Sequence, residues 1–247
     1  VDEDGIDDII VQTGFLTTRG GAHFWQKGPE YTERNYFDLL HTTKNANDMW
    51  HYWHESEQLD LDKDGDLDIV TTSAASQSLT NPLGSPNGEE RLKVEWYEND
   101  GTGSFTWHEI MQGTGGVFMK TYDVDSDGDE DIVLSNFFQQ DGLAHVSWLE
   151  NIEAPSADNS FAGVWQEHSI DNTIGLGYHL IFTDIDQDGK DELLIGNHNN
   201  QNDPRHQDDQ GNLISPPGIF YFEIPNDPKN VSQWEKVVID DTLEVTI

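Results

Sequence analysis

Short runs of β-branched and aromatic residues recur along this chain in a fixed order. Each run is bounded by Gly, Pro, Asn or Asp, which is typical of β-strands. No segment keeps an apolar period of 3.6 over three turns, so we expect little helix. The order of predicted strands is an apolar run (7–11, 68–72, 131–135, 192–196), an aromatic run (23–25, 94–97, 146–149, 219–222), a third run (107–110, 165–170, 234–239) and a fourth run (117–122, 178–182, 242–247).

An Asp-rich segment precedes the apolar run in every repeat. The four segments read VDEDGIDDIIV, DLDKDGDLDIV, DVDSDGDEDIV and DIDQDGKDELL, and equivalent residues are 60, 63 and 61 positions apart. Four short strands per repeat describe a propeller blade, whereas a β-sandwich has no reason to repeat its sequence at a fixed period. We therefore predict an all-β fold, a β-propeller of four-stranded antiparallel blades, as one domain or fragment over residues 1–247. The repeat units are 1–59, 60–122, 123–183 and 184–247.

The Asp-rich segments follow the spacing D-x-D-x-D-G-x-x-[D/E]. Carboxylates at positions 1, 3, 5 and 9 of a tight turn face one centre, the glycine at position 6 permits the sharp turn, and position 7 offers a backbone carbonyl. So many hard oxygen ligands suit Ca²⁺, whereas Mg²⁺ keeps more waters and Zn²⁺ prefers His or Cys. An EF-hand is disfavoured because these segments run directly into strands.

The predicted ligands define four loops. They are Asp2, Asp4, Asp8 and the carbonyl of Ile6 in the first loop (2–8); Asp60, Asp62, Asp64, Asp68 and the carbonyl of Asp66 in the second (60–68); Asp123, Asp125, Asp127, Asp131 and the carbonyl of Asp129 in the third (123–131); and Asp184, Asp186, Asp188, Glu192 and the carbonyl of Lys190 in the fourth (184–192). Position 1 of the first loop would precede Val1. The alternative is that Asp-Gly pairs merely form turns on an acidic surface; their recurrence in phase with the repeat favours up to four calcium ions.

The charge of the chain supports bound cations. There are 48 acidic and 12 basic residues, a net charge of -36, and such a charge opposes compaction unless counterions or salt offset it. Phosphate binding needs clustered Lys and Arg, so nucleic acid is excluded as a partner. The chain has no cysteine, which excludes disulfides and thiolate metal sites. No apolar run reaches 18 residues, so we expect no transmembrane helix.

With these loops and the phrases WYENDGTGSFTWHEI (96–110) and SWLEN (147–151), the chain resembles the FG-GAP/VCBS repeat family, which includes the integrin α-chain propeller. The resemblance implies a loop between the innermost and second strands of each blade, an extracellular location, and adhesion or glycan contact through blade loops. Some members are modules of polysaccharide-degrading enzymes. The chain departs from the family pattern in its shortened first loop, in the Glu at position 9 of the fourth loop, and in residues 34–54, which are hard to align.

The phase of the repeat suggests a longer protein. A further step of about 61 residues from Asp186 reaches Ile247, just before a fifth loop would begin. We expect a fragment of a propeller with six to eight blades. The alternative is a ring of four units in which residues 242–247 supply the inner strand of the first blade.

Histidines are the remaining candidates for chemistry. His108 and His168 occupy the same place in successive repeats, which favours a packing role. His51 and His54 could together ligate a metal such as Zn²⁺, and the aromatics around them could stack on sugar rings. Two strand residues three apart point to opposite faces, however, which disfavours a shared metal site. A polar pocket near the fourth loop could involve His179, His198, Asn197, Asn199 and Asn200, although a solvated loop is the simpler interpretation.

Two functions remain open. The first is a non-catalytic binding or scaffold module for glycan or protein. The second is the propeller part of a carbohydrate-active enzyme such as a polysaccharide lyase, with His and Tyr as acid and base. No nucleophile elbow, phosphate loop or H-E-x-x-H motif is present in the sequence, which favours binding. The insertions at 14–36, 73–91 and 197–217 hold the residues free to specialise in either case.

Overall fold

The computed structural model describes residues 2–13, 22–38, 50–76, 92–114, 118–136, 144–156, 161–197, 199, 207, 210–212 and 215–241. Within those ranges the regular structure consists of β-strands and one 3₁₀ turn, Val231–Gln233. The all-β prediction is confirmed. None of the described residues belongs to a helix long and apolar enough to cross a membrane. The predicted strand at 242–247 lies outside the described residues.

The strands form four antiparallel sheets in which chain neighbours pair. Sheet 1 contains β1 (Ile9–Thr13), β2 (Ala22–Gln26) and β3 (Asn35–Asp38). Sheet 2 contains β4 (Trp50–Leu59), β5 (Asp68–Ser76), β6 (Leu92–Asn99) and β7 (Phe105–Gln112). Sheet 3 contains β8 (Phe118–Tyr122), β9 (Asp131–Ser135), β10 (Val146–Glu153) and β11 (Val164–Asp171). Sheet 4 contains β12 (Gly177–Thr183), β13 (Glu192–Asn197), β14 (Ile219–Glu223) and β15 (Glu235–Asp240). Such sheets, repeated along the chain, are consistent with propeller blades.

Each complete Asp loop joins the first two strands of its sheet. The strand residues that flank the loops pair directly, as Leu59 with Asp68, Tyr122 with Asp131, and Thr183 with Glu192. The strand before a loop therefore belongs to the same sheet as the strand after it. Sheets 2, 3 and 4 consequently begin within the preceding repeat unit, so their strands are shifted in phase from the sequence repeat. Strand β4 is absent from the strands predicted from the sequence, and it begins within the stretch 34–54 that is hard to align.

The sheets are stable because their inner positions are apolar. All five residues of β9 are buried, and its three central residues, Ile132, Val133 and Leu134, are apolar, as expected for a strand covered on both faces. In β14 burial alternates, and Phe220 and Phe222 are the buried pair. Val133, Phe220 and Phe222 belong with Trp148 and Leu193 to one apolar cluster in sheets 3 and 4. Each fully buried side chain of this size contributes about 1.5–3 kcal/mol.

The chain divides into two compact units. The first comprises Val1–Gly115 with Glu153–Val164, and the second comprises Gly116–Ile152 with Trp165–Ile247. In the first unit the indole Nε1 of Trp25 donates to the carbonyl of Gly103 at 3.1 Å, which fastens sheet 1 to the β6–β7 hairpin. In the second unit the rings of Tyr122 and Phe182 stack 4.0 Å apart, which joins β8 to β12.

Candidate metal centre

All four Asp loops have a left-handed backbone torsion at the same two positions. Position 4 is a non-glycine residue with a left-handed φ in every loop: 57° at Glu3, 62° at Lys63, 61° at Ser126 and 66° at Gln187. The glycine at position 6 also has a positive φ: 82° at Gly5, 108° at Gly65, 99° at Gly128 and 93° at Gly189. A Cβ at any of these glycines would meet no heavy atom within 4 Å. Glycine is therefore required by the backbone torsion and not by crowding.

The loops bring the predicted carboxylates together. In three groups the candidate ligand atoms lie within 4.8 Å of one another: Asp60, Asp62 and Asp64; Asp123, Asp125 and Asp127; and Asp184, Asp186 and Glu192. Position 1 is held the same way in each complete loop, since the N–H of the position 6 glycine donates to its Oδ2 at 3.1 Å. Asp68, Asp131 and Asp188 lie outside these close groups.

Several carboxylate oxygens in these groups are buried and have no hydrogen-bond partner. At position 1 these are Oδ1 of Asp60 and Oδ1 of Asp184. At position 3 they are Oδ2 of Asp62 and Oδ1 of Asp125. A buried carboxylate oxygen without a donor is costly, and a bound cation supplies the missing partner. The donor set, which consists of hard oxygens alone, therefore fits Ca²⁺.

The raised pKa values of several loop carboxylates also favour a bound cation. Burial, together with the charges of Asp64, Glu98 and Asp60, raises the pKa of Asp62 above its ordinary value. Burial raises the pKa of Asp68 to about 7, although two backbone N–H groups donate to its carboxylate. Burial likewise raises the pKa of Asp131 to about 7. A divalent cation would favour the charged form of each of these groups.

Position 9 also fastens the loop to the third strand of its sheet. The carboxylate of Asp68 accepts from the N–H of Leu61 at 3.1 Å and from the N–H of Asn99 at 2.8 Å. The Asn99 side chain donates back to the carbonyl of Leu67 at 3.1 Å. The third loop repeats the arrangement: Asp131 accepts from Val124 and from Asn151, each at 2.9 Å. These asparagines were missed from the sequence, although the repeated phrases WYEN and WLEN contain them.

The fourth loop differs at the same position. Its longer Glu192 accepts from the N–H of Ile185 at 2.8 Å and also belongs to the close acidic group. Ile224 stands in sheet 4 where sheets 2 and 3 have Asn99 and Asn151. The change from Asp to Glu therefore coincides with the loss of the asparagine partner.

Position 7 is oriented by the carboxylate two residues before it. The N–H of Ile6, Asp66, Asp129 and Lys190 donates to Oδ1 of Asp4, Asp64, Asp127 and Asp188 at 3.0, 2.9, 3.0 and 2.9 Å, respectively. This contact recurs in all four loops. It holds the peptide between positions 6 and 7, which directly precedes the position 7 carbonyl, and the role of that carbonyl as a metal ligand remains a prediction.

A polar cavity of about 690 Å³ adjoins the third and fourth loops. Asp123, Asp125, Asp184 and Glu192 line it, together with Tyr122. Carboxylates of both loops therefore border the same polar cavity.

The first loop contacts Lys27 and Gly28, two residues after β2 that were not predicted from the sequence to lie near it. Asp8 accepts from the N–H of Gly28 at 2.9 Å, as the position 9 residues of the second and third loops do from their asparagines. The ammonium of Lys27 contacts Asp2 and also lies 2.8 Å from Oδ2 of Asp4. The carboxylates at positions 3 and 5 of this loop thus already hold a cation.

The two repeated histidines have the same surroundings in successive sheets. His108 shares a hydrogen bond of 2.7 Å with Glu98 and stacks on Trp96, with ring centroids 4.4 Å apart. His168 shares one of 2.7 Å with Glu150 and stacks on the Trp148 ring at 4.8 Å. Both contacts support the packing role inferred from their repetition.

The other polar candidates are dispersed. Asn197 and Asn199 are buried, and both donate to the carbonyl of Ile174, at 2.6 and 3.0 Å, so they are structural. His179 packs against Phe118 with ring centroids 3.9 Å apart. The side chains of His51 and His54, and the residues His198 and Asn200, lie outside the described part of the chain.

Comparison with known proteins adds a family match. No curated protein sequence matches this chain. Residues 60–134, which extend from the start of the second loop through the third loop into β9, match the family described as FG-GAP-like repeat, and this match is consistent with the FG-GAP/VCBS resemblance seen in the sequence.

Proposed function

We propose that this chain is a calcium-stabilised binding or scaffold module whose second, third and fourth loops each hold one Ca²⁺. The observation that carries the proposal is that each of these loops has a buried carboxylate oxygen without a hydrogen-bond partner, at positions 1 and 3 of the second loop, at position 3 of the third and at position 1 of the fourth. Asp60, Asp123 and Asp184 would be ligands together with the other predicted carboxylates of their loops. The cation supplies charge neutralisation, and the loops orient the carboxylates through their own N–H groups.

A structural role for the ion follows from the position of the loops. Each complete loop joins the first two strands of a sheet, and its close carboxylates lie within 4.8 Å of one another. Two unit charges at that separation repel by about 3.5 kcal/mol at an effective dielectric constant of 20. Solvent screening lowers this figure for the exposed members, yet the sum over a loop still opposes closure of the hairpin. A bound cation converts this repulsion into attraction.

Contact with a glycan or protein ligand is best assigned to the connections at the strand ends opposite the Asp loops. The connections after β5, β9 and β13 leave from the strand ends that lie away from the Asp loops. These connections include most of the insertions at 73–91 and 197–217. We propose that these connections contact glycan or protein, while the Asp loops at the opposite strand ends hold the ions. Extracellular calcium is millimolar, which favours a secreted or cell-surface protein.

Thermal unfolding tests the calcium role. The melting temperature is measured in 5 mM CaCl₂, in 5 mM MgCl₂ and in excess chelator. Calcium at 100 times its Kd contributes about 2.7 kcal/mol per loop, so we expect a drop of well over 5 °C in chelator. Magnesium should restore little of that loss. Equal melting temperatures in calcium and in chelator would refute the proposal.

A glycan array tests the binding role. The calcium-loaded protein is applied to the array, and every glycan that binds is then incubated with it and its products analysed. Binding without cleavage supports a recognition module. New reducing or unsaturated ends would instead establish the carbohydrate-active enzyme that the sequence left open.

A further inference from the structure

In the first loop, Lys27 contacts the carboxylates at both position 3 and position 5, whereas Lys229 contacts the third loop at Asp125 of position 3 and pairs with Glu150 outside the loop. The register of sheets 1 and 2 places Trp25 opposite Ile10 as it places Trp96 opposite Val70. Trp25 and Trp96 are therefore equivalent positions. Two residues after these tryptophans, Lys27 directly follows β2 at the position equivalent to Glu98 in β6.

Lys27 forms ion pairs with Asp2 and Asp4, the carboxylates that a metal ion would otherwise bind. Its ammonium contacts Oδ2 of Asp2 and lies 2.8 Å from Oδ2 of Asp4. The remaining oxygens also have donors, since Oδ1 of Asp2 accepts from the N–H of Asp4 at 3.4 Å and Oδ1 of Asp4 accepts from the N–H of Ile6 at 3.0 Å. All four oxygens at positions 3 and 5 are thus engaged within the chain.

The second loop shows the same position without a lysine. Oδ1 of Asp62 accepts from the N–H of Asp64 at 3.2 Å, as the equivalent oxygen of Asp2 does from Asp4. Oδ2 of Asp62 is buried and has no partner, whereas the equivalent oxygen of Asp2 meets Lys27. Glu98 cannot donate to Asp62 as an anion, and it is held instead by His108 at 2.7 Å.

We propose that Lys27 is the built-in cation of the first loop, so that this loop closes without calcium. A calcium ion would have to displace an ammonium that the chain holds in place at high effective concentration. The inference rests on the proposed function for the other loops: the chain binds three calcium ions, and the β1–β2 region keeps its structure when calcium is removed.

Chemical labelling of the wild-type protein tests the contact directly. Lysines are acetylated in limiting reagent with and without 5 mM CaCl₂, and each site is quantified by peptide mass spectrometry. We expect Lys27 to react several-fold more slowly than Lys190, which is also exposed, and the reactivity of Lys27 should change less than twofold on adding calcium. Equal reactivity of the two lysines, or a several-fold rise at Lys27 when calcium is added, would overturn the inference.

Calcium counting separates this inference from the proposed function. Equilibrium dialysis at millimolar calcium should give three ions for the wild type and four for Lys27→Met, because the variant frees Asp2 and Asp4. Lys93→Met is the matched control, since Lys93 pairs with Glu109 outside the loops, and it should keep three. Four ions in the wild type, or three in Lys27→Met, would overturn the inference. No bound calcium in the wild type together with slow labelling of Lys27 would reject the proposed function alone.

Discussion

Replacement of Asp62 by Asn should destabilise the protein in calcium and stabilise it in chelator. The carboxylate of Asp62 accepts one backbone N–H through Oδ1, and its Oδ2 is buried without a partner beside Asp60 and Asp64. Asparagine keeps the Oδ1 acceptor and places an amide donor at the second position. In calcium the variant loses a charged ligand, whereas in chelator it gains a donor and loses a repelling charge.

The size of each effect follows from the geometry. Repulsion between unit charges 4.8 Å apart is about 3.5 kcal/mol at a dielectric constant of 20, and exposure of Asp64 reduces it. We therefore expect Asp62→Asn to be more stable than the wild type by about 1–3 kcal/mol in chelator. In calcium it should be less stable by about 2–3 kcal/mol, the contribution of one loop at calcium 100-fold above Kd.

Urea unfolding in 5 mM CaCl₂ and in excess chelator measures both differences. Asp100→Asn is the matched control, because Asp100 lies in the β6–β7 turn of the same sheet and accepts from the N–H of Thr102 at 2.9 Å through an oxygen that asparagine keeps. The control should stay within about 0.5 kcal/mol of the wild type in both solutions. Equal destabilisation of Asp62→Asn in calcium and in chelator would refute the electrostatic argument.

Three further substitutions follow from the same structure. Gly128→Ala should lower the free energy of unfolding in urea by about 1–2 kcal/mol, because φ at this position is 99°. The added Cβ would meet no heavy atom within 4 Å, so it would make no new packing contact to offset this cost. Gly103→Ala should lower the stability of the first unit by roughly 2–4 kcal/mol, measured the same way, because its Cβ would lie 2.5 Å from the Trp25 ring and φ is 82°. Lys229→Met should lower the calcium Kd of the third loop several-fold in calorimetric titration, because Lys229 lies 3.1 Å from Oδ2 of Asp125 and competes with the ion.

The parts of the site that are local in sequence were predictable. Positions 1, 3 and 5 of each loop lie within one turn, so their spacing alone indicates that Asp60, Asp62 and Asp64 converge. The glycine at position 6 likewise marks a local torsion, which all four loops adopt. The aromatic strands were predictable for a related reason, since runs such as 94–97 and 146–149 contain residues that sheets bury.

The parts that depend on strand pairing were not predictable. Lys27 is 25 residues from Asp2 and Asn99 is 31 residues from Asp68, so their contacts depend on the register of neighbouring strands. The sequence pattern contains no direct signal for that register. Strand β4 was missed because Trp50–Leu59 mixes aromatic, His and Glu residues without a clean apolar alternation. Position 9 was treated only as a ligand, because its bonds to Asn99 and Asn151 join separate strands.

Anomalous difference density from crystals grown in millimolar calcium would show directly whether the loops hold ions. We expect one peak in each of the second, third and fourth loops, about 2.3–2.6 Å from oxygens of Asp60, Asp123 and Asp184. Absence of density in these three loops, with their carboxylates turned toward solvent, would contradict the proposed calcium binding.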